Sequence, residues 1–75
     1  MAVVREFERK DLERHSKHSE VNATISLVED QTGEKFIQID TYGSKDRAIP
    51  GKVSQSLRLS KTAFDQLVSE GGKHF

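Results

Sequence analysis

From Val21 onward the side chains alternate. Val21, Ala23, Ile25 and Leu27 fall on one side of an extended chain, and Asn22, Thr24, Ser26 and Val28 fall on the other. A period of two predicts a half-buried strand over "VNATISLVED". "EDQTGE" follows, with Gly33 in position for a hairpin turn. "EKFIQIDTY" alternates again: Ile37, Ile39 and Thr41 face one way, and Phe36, Gln38, Asp40 and Tyr42 the other. "GSKDRAIPGK" is a loop punctuated by Gly43, Pro50 and Gly51, and it is long for a hairpin connection. "VSQSLRL" predicts a third strand, with Val53, Gln55, Leu57 and Leu59 inward and Ser54, Ser56 and Arg58 outward. The period then changes. Ala63, Phe64, Leu67 and Val68 recur at helical spacing. Ser60 stands where an N-cap is needed, and Gly71-Gly72 is expected to stop the helix.

The first twenty residues carry less pattern. "AVVREF" has the length of a short strand. "ERKDLERHSKHSE" is polar, with Leu12 its one strong apolar residue, and fits a short exposed helix or an irregular arm. The division expected is an N-terminal strand or arm over 1–20 and one sheet-plus-helix domain over 21–75. The fold class is α+β: an antiparallel sheet of three to four strands followed by a C-terminal helix.

Composition sharpens this. The chain has 75 residues, 33% of them hydrophobic, and no cysteine. So small a domain buries little surface against the entropy it loses, and no disulfide or thiolate–metal staple helps. A homodimer that shares its core is the expected remedy. "MAVVREFERK" lacks the apolar run of a signal peptide, and no segment approaches the ~20 apolar residues of a membrane span. A cytoplasmic protein without membrane contact is expected.

Twelve basic and twelve acidic side chains cancel, which does not favour a strong non-specific polyanion binder. Their distribution is uneven. Between Ser44 and Lys61 stand Lys45, Arg47, Lys52, Arg58 and Lys61 against Asp46 alone. The outward face of the predicted sheet carries Asn22, Thr24, Ser26, Phe36, Gln38, Asp40, Tyr42, Ser54, Ser56 and Arg58. Such a face suits a single-stranded nucleic acid. Bases stack on Phe36 and Tyr42 and hydrogen-bond to groups such as Gln38, while the basic residues follow the phosphates. The same face also fits the ordinary wet side of an antiparallel sheet, with Phe36 packed under the N-terminal segment.

Catalytic chemistry finds little support. Glu13, His15 and His18 lie close in sequence, but two exposed histidines without a third strong ligand are usually solvated. Asp40 and Asp46 flank the loop with nothing to fix their geometry. "GSKDRAIPG" lacks the Gly-Lys-Ser/Thr end of a phosphate loop. A non-enzyme without metal or cofactor is expected.

The run from Phe36 to Leu67 resembles the core of the positive-cofactor-four family of transcriptional coactivators and its bacterial relatives. Ile39-Asp40-Thr41, Pro50-Gly51-Lys52, Ser56-Leu57-Arg58-Leu59 and Ser60 through Leu67 stand where that family has a strand, a Pro-Gly-Lys loop end, a strand leading into Ser-Leu, and a capped helix. The chain also resembles short bacterial proteins with an "LQIDTYGS…GKVSQS" core. The family resemblance implies a four-stranded antiparallel sheet followed by a helix. It implies a homodimer formed largely through the helices, single-stranded DNA on the sheets, and Lys52 and Arg58 at phosphates. Thr41 stands where the family commonly has a basic residue, and "VSQSLRL" has Arg58 in place of a lysine-rich strand. Two expectations follow: a single-stranded DNA- or RNA-binding accessory factor, or a small protein-interaction module that binds no nucleic acid.

Overall fold

The computed structural model describes residues 1–13, 16–43 and 52–75. Four strands and one helix follow in order: β1 (Ala2–Val4), β2 (Ala23–Glu29), β3 (Lys35–Tyr42), β4 (Val53–Leu59) and α1 (Lys61–His74). The strands form one sheet in the order β1-β4-β3-β2. The α+β class and the strand-then-helix order match the sequence pattern. The sheet is mixed, however. β2–β3 and β3–β4 are antiparallel, whereas β1 runs parallel to β4, with Ala2 opposite Leu57 and Val4 opposite Leu59.

The β2–β3 hairpin is closed by Asp30. Its Oδ1 accepts from the Thr32 amide at 2.9 Å, the Thr32 hydroxyl at 2.6 Å and the Glu34 amide at 3.0 Å. Gly33 follows at φ 90°, a backbone region in which a Cβ is strained. Ser60 separates β4 from α1. Its side chain accepts from the Ala63 amide at 3.1 Å, as an N-cap should.

Three sequence expectations need correction. The helix does not stop at Gly71-Gly72. It runs on to His74, where the Phe75 amide bonds the Gly71 carbonyl, and Lys73 and His74 suit the negative end of the helix dipole. Second, Val53 does not continue the inward row of Gln55, Leu57 and Leu59. The ladder pairs Thr41 with Gln55 and then Tyr42 with Val53. Ser54 is left over, as in a β-bulge, and the alternation breaks there.

Third, the helix stripe does not close the sheet's apolar face. Ile25, Ile39 and Leu57 lie across from one another, as do Leu27, Ile37 and Leu59. Yet Ile25 is 73% exposed and Leu27 85%. Because one residue joins β4 to α1, the helix starts at the Leu59 end and meets the sheet only there. Phe64 shares a groove at that end with Leu27, Ile37 and Leu59. Phe64, Leu67 and Val68 stay exposed, and the buried side chains among the described residues are Phe36, Leu59, Ser60 and Ala63.

Candidate nucleic-acid interface

The opposite face of the sheet is polar, and its side chains are bonded to one another. Gln38 lies across the ladder from Arg58, and its Oε1 accepts from Arg58 Nε at 2.9 Å. Gln38 Nε2 in turn donates to both Asp40 oxygens at 3.1 Å. Gln38 thus links a guanidinium to a carboxylate, and its amide is orientated from both ends. On the β2 side, Thr24 Oγ1 and the Tyr42 hydroxyl are 3.1 Å apart.

Asp40 is held below the usual carboxylate range, first by the Ser56 hydroxyl across the ladder, then by Gln38 and by the charge of Arg58. Ser56 Oγ is buried and closes no hydrogen bond of ordinary geometry among the described residues. Its contact with Asp40 is therefore polar but loose. The centre of this face carries an ionised carboxylate at neutral pH. Such a charge disfavours phosphate and can accept hydrogen bonds from N–H donors, as it does from Gln38.

Phe36 is not the open stacking surface its face suggested. Its ring is 6% exposed, with the Arg5 guanidinium carbon 5.4 Å and the Arg58 guanidinium carbon 6.0 Å from the ring centroid. These are cation–π distances. Tyr42, half-buried, is the ring on this face that keeps part of its surface open.

The expected site residues therefore separate. Gln38 and Arg58 are joined by a hydrogen bond, Phe36 lies beneath Arg58, and Tyr42 is two positions beyond Asp40 on the same strand. Lys52 is exposed just before β4. Lys61 opens the helix and bonds Asp65 at 2.9 Å, away from the Gln38–Asp40 network. Lys45 and Arg47 lie outside the described residues, as does His15.

Arg5 was not a sequence candidate, since nothing in a polar N-terminal segment marks one arginine above another. Its place comes from β1. The Ser60 amide bonds the Val4 carbonyl at 3.1 Å, and the Ser60 hydroxyl donates to the Arg5 carbonyl at 2.7 Å. The arm beyond is held to the helix through Gln66. The Phe7 amide donates to Gln66 Oε1 at 2.8 Å, and Gln66 Nε2 reaches the Phe7 carbonyl at 3.4 Å. Among the described residues, no group of acidic or histidine side chains that would hold a metal occurs, and no helix is long and apolar enough to cross a membrane.

Compared with known protein families, curated proteins and solved structures, the chain matches none.

Proposed function

We propose that the protein is a non-enzymatic binding module that works as a homodimer and holds single-stranded nucleic acid on the polar face of its sheet. The observation that carries this reading is the division of one sheet into two unlike faces. Ile25 and Leu27 at 73% and 85% exposure belong to an apolar face that a second copy would cover, in a two-fold arrangement that uses the same patch on both chains. The outer face would then remain free, with Tyr42 for a base, Asp40 and Gln38 for base edges, and Arg58 and Lys52 for phosphates. The hydrogen bonds described there join amides, hydroxyls, a guanidinium and a carboxylate, and no histidine takes part. This is the make-up of a surface that binds, and the family resemblance points the same way.

The test is a titration of a labelled single-stranded oligonucleotide and its duplex at low and moderate salt. Saturable binding that prefers the single strand and weakens with salt is expected. Absence of binding at low salt would overturn the nucleic-acid half of the proposal.

A second reading is favoured by one observation. The exposed Ile25–Leu27 row would serve a different protein as well as a second copy, making the chain a protein-interaction module. A monomeric mass in solution together with absent oligonucleotide binding would select that reading.

A further inference from the structure

We propose that Arg5 and Arg58, held over the Phe36 ring, form a seat for a phosphate group. Two guanidinium groups reach the same phenyl ring, at 5.4 and 6.0 Å from its centroid. Both are fixed from behind. Arg5 follows β1, where the Ser60 hydroxyl holds its carbonyl. Arg58 is anchored through Nε to Gln38. Two positive charges that share one ring favour an anion within reach of both. The chain supplies only part of that anion. Glu34 forms an ion pair with Arg5, whereas no carboxylate forms a direct ion pair with Arg58 among the described residues. Among the described residues Arg58 hydrogen-bonds through Nε, and no bond occupies its terminal amino groups. A guanidinium that rests on an aromatic ring keeps its in-plane N–H donors, and their fork geometry matches phosphate oxygens.

The seat changes the role of Phe36. The ring does not stack on a base; it positions two cations. The polar face also becomes directional. One phosphate is met at the Arg5–Arg58 end, and the stretch from Asp40 to Tyr42, before Lys52, is left to hydrogen-bonding partners, because the Asp40 carboxylate would turn phosphate away. This direction rests on the nucleic-acid reading, but the phosphate seat itself does not. Glu34 is the internal competitor, because its carboxylate occupies Arg5 until a phosphate displaces it.

The experiment follows the arginine side-chain N–H signals by NMR while inorganic pyrophosphate is added to the full chain. Saturable shifts at Arg5 and Arg58, with Arg9 unmoved, are expected. Equal, unsaturating shifts at all arginines, or none, would overturn the seat. Glu34→Gln should tighten pyrophosphate binding by removing the competitor, and Arg58→Gln should weaken it roughly tenfold or more. The opposite signs separate a specific effect from unfolding, and weaker binding by Glu34→Gln would also overturn the seat.

A parallel titration with a single-stranded oligonucleotide distinguishes this proposal from the wider one. Arg5→Gln should lower the slope of log affinity against log salt by about 0.7. Oligonucleotide binding with that slope unchanged would remove the seat and leave the nucleic-acid reading standing. Pyrophosphate binding without oligonucleotide binding would do the reverse.

Discussion

Ser60 connects three parts of the chain. Its side chain caps α1, its hydroxyl donates to Arg5 and its amide bonds Val4. Ser60→Ala should cost about 1.5–3 kcal/mol, combining a lost cap with an unpaired carbonyl, and Ser60→Thr should recover much of it. Urea unfolding measures both, and a loss below about 0.5 kcal/mol would show the cap to be idle. The cap was legible in the sequence, because a serine directly before a helical period is a local signal. The bond to Arg5 was not, because it spans 55 positions. Asp30 carries a pH dependence. Hydrogen bonds from Thr32, first through its hydroxyl, and from Glu34 hold its carboxyl below the ordinary range. A depressed folded value means that the stabilisation is complete above the unfolded value near 3.8 and is lost as pH falls through the folded one. Asp40 adds in the same direction. The urea midpoint should therefore hold steady from neutrality down to about pH 5 and decline below about pH 4. Asp30→Asn should lower the neutral plateau and flatten the acid limb.

At the scale of the elements, two glycine environments predict opposite signs. Gly33 sits at φ 90° in the β2–β3 turn, so Gly33→Ala should destabilise by about 1 kcal/mol or more. Gly71 and Gly72 lie within α1, and nothing stands within 4 Å of where their Cβ atoms would be. Alanine at either should stabilise by roughly 0.5–1 kcal/mol. Thermal unfolding of the three variants checks the pattern, and a loss at Gly71 or Gly72 would mean that a partner needs the helix bare there. Strands β2, β3 and β4 were legible because each presents a clean period of two. The bulge at Ser54 was not, because it depends on which residue of β3 stands opposite. The parallel pairing of β1 was not either, since three residues carry no period.

For the whole molecule, the radius of gyration is 14.6 Å and the shortest dimension 18 Å, against about 11 Å expected for the radius of a compact chain of this length. The layer is flat, and among the described residues nothing covers Ile25 and Leu27 on one of its faces. Leu27→Glu separates the readings of that face. In a monomer, a charge at a position 85% exposed should change stability by no more than about 0.5 kcal/mol. In the proposed dimer it should halve the mass seen by light scattering from twice 8.5 kDa and remove the dependence of melting temperature on concentration. A wild-type mass of one chain would end the dimer proposal. The sequence sorted the residues of β2, β3 and the Gln55–Leu59 part of β4 into two faces and misplaced Val53. It could not show how far along the apolar face the helix reaches, because that depends on the direction in which α1 leaves the sheet after Ser60. The position of β1 has a consequence for the order of assembly. Its partners are Leu57 to Leu59, with Ser60 beyond, so these residues are made well before the strand they pair with. The β2–β3 hairpin closes through near neighbours and can form early, whereas β1 must wait across almost the whole chain for β4. During synthesis the N-terminal segment is therefore open to proteases and to other chains until the strand it needs has been made.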